Sequence, residues 1–219
     1  MQDDLTLKSK HAFFITGTDT GAGKTHVACK LIQQYVAQGY TVVGMKPVAA
    51  GCEWIDGEWV NDDLLKLEAA SNVKAPRALT NPYSFKQAIA PHIAAGLAGV
   101  EIDLDKIKHA FDALSQLADI VIVEGAGGFL VPLNATKTMA DLVAALNVPI
   151  ILVVGIKLGC INHALLTVEA MQARKLMLHG WVASPIEPAM DCYDENIAAI
   201  TQQLRMSCMT NYAYSALSI

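Results

Sequence analysis

Short apolar runs alternate with amphipathic stretches along most of the chain. Five runs, Ala12–Thr16, Thr41–Lys46, Ile120–Glu124, Ile150–Gly155 and Leu178–Ala183, are rich in Val and Ile and apolar at nearly every position. A strand with one wet face alternates in polarity, whereas a continuous run marks a strand buried on both faces of a parallel sheet. Between the runs, apolar residues recur at helical spacing over Thr25–Gln38, Asp103–Leu117, Thr138–Leu146, Asn162–Arg174 and Asp191–Leu204. Gly39 follows the first of these as a C′ residue. Asp103, Thr138 and Asn162 are predicted N-caps, and Arg174 and Lys175 suit the end of the fourth helix. The section Val48–Gly99 is less regular and is predicted to hold helices and long loops. Alternating strand and helix predicts an α/β fold: a single domain over 1–219 with a mostly parallel, doubly wound sheet flanked by helices. In such sheets, ligands collect beyond the carboxyl ends of the strands.

Composition narrows the partners. Hydrophobic residues make up 53% of the chain, enough for a large core. The net charge of −5 argues against nucleic acid, whose phosphates call for a basic face. The run Val148–Ile156 is too short for a membrane span and contains Pro149. The N-terminus is acidic and polar, unlike a signal peptide. Five cysteines, Cys29, Cys52, Cys160, Cys192 and Cys208, lack metal-pair spacing and fit a reducing, cytoplasmic setting.

The chemistry starts between the first strand and the first helix, at Gly17-Thr-Asp-Thr-Gly-Ala-Gly-Lys-Thr25. A glycine-rich loop from strand to helix, closed by Gly-Lys-Thr, is the context of a phosphate-binding P-loop. Its N–H groups and the helix N-terminus offer partial positive charge. Lys24 is placed for the β/γ-phosphates and the Thr25 hydroxyl for Mg²⁺. Five residues separate Gly17 from Gly23, one more than the usual four.

Other polar groups fall at the same predicted edge. Glu124 closes the third strand and suits Mg²⁺ or a structural role, and its following glycines allow close approach of phosphate or substrate. Lys46 ends the second strand as either an anion-binding group or a snorkelling lysine. Asn61-Asp62-Asp63 offers carboxylates where an N-cap would also stand. Asn162 reads as a cap, His163 as a second-layer or surface histidine, and Cys160 as a buried small hydrophobe. Trp54, Trp59 and Trp181 read as packing residues, the last near the site edge.

Taken together, the P-loop, Lys46-Pro-Val-Ala-Ala-Gly51, Asn81-Pro-Tyr83, Ala90-Pro-His92, Glu124-Gly-Ala-Gly-Gly128 and Lys157-Leu-Gly-Cys-Ile-Asn-His-Ala164 resemble the dethiobiotin synthetase family, in order and spacing. The likeness covers residues 12–185 and includes the longer P-loop. It implies an ATP- and Mg²⁺-dependent ligase that joins 7,8-diaminononanoate with CO₂. One amine captures CO₂ as a carbamate, whose oxygen attacks the γ-phosphate. The second amine then displaces phosphate from the mixed anhydride and closes the ring.

The resemblance also implies residue roles. Thr25, Asp63 and Glu124 are the expected metal ligands, with Asp62 the alternative to Asp63. Lys24 and Lys46 are the expected catalytic lysines. Gly21, Ala22, Gly23, Lys24, Thr25 and His26 would wrap the triphosphate, with Gly125, Ala126, Gly127, Ser184 and Pro185 completing the nucleotide site. Thr20, Ala50 and Gly127 would face the substrate. Leu158, Gly159, Cys160, Ile161 and Asn162 would bind its carboxylate across a homodimer interface. Three departures stand out. Gly21 replaces a frequent acid, Ala50 a frequent Ser, and Ser184 a frequent Asn that reads adenine. The segment Met209–Ile219 also lacks the family's usual Ile-Pro-rich pattern.

The main competitor is a switch ATPase of the partitioning or septum-positioning type. Such a protein carries a second lysine early in its P-loop, where Thr18 and Asp19 stand here. An amidating ligase with a glutaminase domain needs more chain than 219 residues.

Overall fold

A computed structural model describes residues 11–187 and 190–211. Its centre is a parallel sheet of β1 (His11–Gly17), β2 (Val42–Met45), β7 (Ile120–Gly128), β8 (Ile150–Ile156), β9 (Leu178–Pro185) and β10 (Cys208–Asn211). The order across the sheet is β10-β9-β8-β1-β7-β2. The five apolar runs predicted as strands form five of these six. The sixth, β10, pairs with β9 and lies beyond the predicted set.

Alternate residues of the central strands feed two layers. Phe13, Ile15, Ile120, Ile122, Ile151 and Val153 pack on one face against Val27, Ala28 and Ile32 of α1 (Lys24–Ala37) and Leu67 of α2 (Asp62–Ala70). Phe14, Val121, Val123, Leu152 and Val154 face the other layer. That layer holds α5 (Leu104–Leu117), α6 (Met139–Leu146), α7 (Cys160–Ala173) and α8 (Tyr193–Leu204). Each fully buried aliphatic side chain of this kind contributes about 1.5–3 kcal/mol of transfer free energy.

The helices begin where chain chemistry supplies a cap. The Asp103 carboxylate accepts from the Asp105 N–H at the head of α5, and Thr138 and Asp141 form a capping box on α6. Gly39, at φ 84°, takes the left-handed position after α1. One predicted cap is corrected. The helix expected to start at Asn162 starts at Cys160, capped by Gly159 at φ 91°. A glycine that enters the left-handed region freely turns the chain three residues before the asparagine can act.

The irregular section holds more structure than helices and loops. It contains β3 (Val48–Ala50) paired in parallel with β6 (Tyr83–Phe85), and a hairpin of β4 (Glu53–Ile55) and β5 (Glu58–Val60). It also contains α2, α3 (Arg77–Thr80) and α4 (Pro91–Leu97). Three-residue strands give too short a pattern to stand out in sequence. Asp56 and Gly57, both at positive φ, make the hairpin turn. Trp54 and Trp59 meet edge-to-face across it, yet Trp54 stays 60% exposed, whereas Trp181 is fully buried and donates to the Met206 carbonyl.

Candidate active site

Parallel register brings the predicted chemistry to one edge. β7 pairs with β1 so that Glu124 stands beside Ile15 and Gly128 beside Gly17, where the P-loop leaves the sheet. The loop is tied down by Thr18, whose N–H donates to the Val153 carbonyl at 3.0 Å. Gly23 enters α1 at φ 90°, and a Cβ there would collide with the Ser184 hydroxyl. Only glycine fits that approach.

Lys46 follows β2 directly and is held from behind. Its N–H donates to the Thr80 carbonyl, and its own carbonyl accepts from the Asn81 amide at 2.5 Å. Asn81 is buried and also donates to the Tyr83 carbonyl at 3.2 Å. This backbone clamp is the structural role of the Asn81-Pro-Tyr83 motif, which the sequence reading left without one. The motif's position alone carried the signal. Asn61 has a double role as well. Its side-chain oxygen caps α2 by accepting from the Asp63 N–H, and its amide donates to the Ala50 carbonyl at 3.2 Å.

These elements converge on a charged cluster. The Lys46 ammonium donates to Asp63 Oδ2 at 2.8 Å and to Glu124 Oε1 at 2.5 Å. The Thr25 hydroxyl donates to the same Glu124 oxygen at 2.9 Å. Glu124 is fully buried, and its Oε2 has no hydrogen-bond partner among the described residues. A buried carboxylate oxygen without a donor is a natural ligand for a hard cation, so Thr25, Asp63 and Glu124 fit Mg²⁺. The Lys24 ammonium donates to the Asp19 carbonyl at 3.1 Å. Asp19 also pairs with Lys157 at 3.1 Å, linking the P-loop to the segment before α7.

Electrostatics follow from burial and pairing. Burial pushes the Lys24 ammonium below its usual range, with Glu124 opposing. Burial presses Lys46 downward too, but Glu124 and Asp63 outweigh it and leave its pKa raised. For Asp63 burial works upward, and Lys46 outweighs it to leave the carboxyl below its usual range. Burial pushes the nearby Cys29 thiol up to about 11, which keeps it protonated and inert.

A cleft of about 650 Å³ opens over this cluster. Of the expected residues, Thr20, Gly21, Gly23, Lys24, Thr25, Lys46, Ala50, Asp63, Glu124, Ala126 and Gly127 line it. Val48, Val131 and the stretch Ala88–Pro91 line it as well; Val48, Ala90 and Pro91 belong to motifs of the family resemblance, whereas Ala88, Ile89 and Val131 carried no sequence signal. Asp62 does not line it, which favours Asp63 between the two acids. Ala22 and Gly125 lie behind the wall, and His26 sits half-buried in the first turn of α1. Ser184 is fully buried behind Gly23 at the end of β9, with Pro185 beside it. Leu158 to Asn162 stand outside the cleft. Leu158 is 92% exposed, Cys160 buried, and Asn162 and His163 face solvent.

No helix among the described residues is long and apolar enough to cross a membrane. A family model described as an AAA domain matches residues 11–211. Two solved structures share the fold at low identity. A ParA family ATPase from Chlorobium tepidum aligns with TM-score 0.55 and 11% identity, covering 94% of this chain and 84% of that one. The MinD cell division protein of Aquifex aeolicus gives 0.56 and 12%, over 93% and 82%. The ATP-dependent dethiobiotin synthetase of Nitrosospira multiformis is 55% identical over 192 residues, 88% of this chain and 83% of the relative. That of Aromatoleum aromaticum is 53% identical over 198 residues, 90% and 88%. With that identity along nearly its whole length, the chain belongs to the ATP-dependent dethiobiotin synthetase family.

Proposed function

We propose that the cleft over Lys24, Lys46 and Glu124 joins 7,8-diaminononanoate with CO₂ at the expense of ATP. The activity is that of the family, an ATP-dependent ligase of biotin biosynthesis that forms C–N bonds. The observation that carries the assignment to this cleft is the cluster itself. Two buried lysines, two acids and the P-loop threonine face one space at the end of the sheet.

Each side chain then has a task. Thr25, Asp63 and Glu124 hold Mg²⁺, which when bound neutralises charge on the phosphates. Gly21 and Gly23 let the loop backbone close around the triphosphate, followed by Lys24. Lys46 binds the carbamate and the γ-phosphate. Its positive charge opposes the negative charge that gathers as the carbamate oxygen attacks phosphorus. Gly127, Thr20 and Ala50 shape the diamine end. The conformation of Gly127, at φ 64°, leaves no room for a side chain, since a Cβ would stand 2.8 Å from Val131. Ala22, His26, Gly125, Ala126, Ser184 and Pro185 support the nucleotide from the loop and the strand ends.

The site is proposed to be completed by a second copy of the chain. The segment Leu158–Asn162, outside the cleft of its own protomer, would bind the substrate carboxylate in the partner's site. The first-turn N–H groups of α7 and the highly exposed Leu158 support this reading. The switch-ATPase alternative rests on fold likeness at 11–12% identity and is not favoured. The test is ADP release with diamine, bicarbonate, ATP and Mg²⁺, each omitted in turn, with mass detection of the cyclic urea. Equal ATP hydrolysis with and without diamine, and no cyclic product, would remove the proposal.

A further inference from the structure

Lys46 has two claims on it that cannot be met at once. Its ammonium sits between Asp63 and Glu124 at 2.8 and 2.5 Å, on the two carboxylates that the proposed function gives to the metal. It is 4% exposed, and Glu124 is fully buried. A divalent ion on the unpartnered Oε2 of Glu124 would share that buried carboxylate with the ammonium on Oε1 and add a like charge beside it. The two cations therefore compete for the same pair of acids, and the departure of one favours the binding of the other. Lysine is able to leave, because its charge rides on a flexible four-carbon stem that borders the open cleft. Leaving has a condition. An ammonium so deeply placed needs an anion to receive it, and the remaining charged side chain lining the cleft besides the two acids is Lys24, of the same sign. Phosphate groups of an incoming nucleotide meet that condition.

We propose that Lys46 is the resident counter-cation of the metal pocket, holding Asp63 and Glu124 until nucleotide phosphates draw it away, so that metal loads only together with the nucleotide. The inference rests on the metal-ligand reading of Thr25, Asp63 and Glu124. It adds that Lys46 changes partners during loading, from the carboxylates to the phosphates. The protein then spends no metal site on a bare divalent ion, and the lysine reaches its catalytic position as a consequence of filling the site.

The test uses Mn²⁺ as a spectroscopic substitute for Mg²⁺, with free ion counted by electron paramagnetic resonance. Without nucleotide, Lys46→Met should bind one Mn²⁺ at least about tenfold more tightly than wild type, because the two acids then lack their cation. Adding Glu124→Gln to Lys46→Met should abolish the gain. Equal Mn²⁺ affinity in Lys46→Met and wild type overturns the inference. Failure of the ligand reading looks different: Glu124→Gln and Asp63→Asn would then leave Mn²⁺ affinity unchanged in the presence of a non-hydrolysable ATP analogue. Wild-type protein with ¹⁵N-labelled lysine side chains gives a second readout that needs no variant to fold. The Lys46 Nζ resonance should hold its position with Mg²⁺ alone and move when Mg²⁺ and the analogue are added together. An equal shift with Mg²⁺ alone overturns the inference.

Discussion

Lys46→Ala separates catalysis from nucleotide binding. The side chains of Lys46 and Glu124 are 6% and 0% exposed, so their contact is shielded from water. The Asp63 contact counts for less, since that side chain is 39% exposed. Breaking a buried pair by removing one partner costs about 3–5 kcal/mol. The low end applies, because the Thr25 hydroxyl remains on Glu124 and Lys24 remains nearby. For a chain of 219 residues, about 3 kcal/mol lowers Tm by roughly 6–12 °C. Turnover should fall further than that loss explains. A preorganised charge on the transferring phosphoryl group is worth roughly 3–4 kcal/mol, or about 10²–10³ in kcat. The loop glycines and Lys24 still hold the ground-state triphosphate, so KM for ATP should stay within about threefold. The assay is coupled ADP release at saturating diamine and bicarbonate, at a temperature below the variant's melting onset. A kcat within about tenfold of wild type in folded Lys46→Ala would show that Lys46 does not meet the reacting groups.

Glu124→Gln and Asp63→Asn should each raise the Mg²⁺ concentration for half-maximal rate, since an amide is a poorer ligand for a hard cation; a titration that overlays wild type removes that residue from the metal shell. Mixing Asn162→Ala with Lys46→Ala protein should restore part of the activity, because one site of the heterodimer carries neither lesion. No recovery after confirmed subunit exchange refutes shared sites. GTP or CTP should support turnover with kcat/KM within about tenfold of ATP, roughly 1.4 kcal/mol, as buried Ser184 offers a base less than an amide does. A preference for ATP above about a hundredfold would reveal an adenine-reading element, for which the candidates are backbone groups near Pro185 and the tail Asn211–Tyr214, whose residues after Asn211 lie outside the described residues.

The sheet was legible because its strands are buried on both faces, so Ile120–Glu124 and Ile150–Gly155 read as unbroken apolar runs. β10 was not, since Cys208–Asn211 lacks such a run and depends on pairing with β9. In the site, the P-loop, Lys46 and Glu124 stood out because charge at the end of an apolar strand is costly without a purpose. Asn81 did not, because its work is to hold the Lys46 carbonyl, 35 residues back in the chain. Asn162 misled through a local rule: it is a good cap, but Gly159 turns the chain first.

The charged cluster also constrains how the chain can assemble. Its contacts join residues 17, 78 and 99 positions apart, so it forms only after distant segments have met. Strand side chains alternate between faces, so sliding β7 by one residue against β1 would put Val123 or Gly125 where the carboxylate stands and turn Glu124 toward the opposite layer. There it would be an acid in an apolar layer with no cation to meet it. Val- and Ile-rich strands are otherwise nearly interchangeable when slipped. Glu124 thus acts as a registration mark for the sheet, and the cost of misplacing one charge discriminates between pairings that hydrophobicity alone would scarcely tell apart.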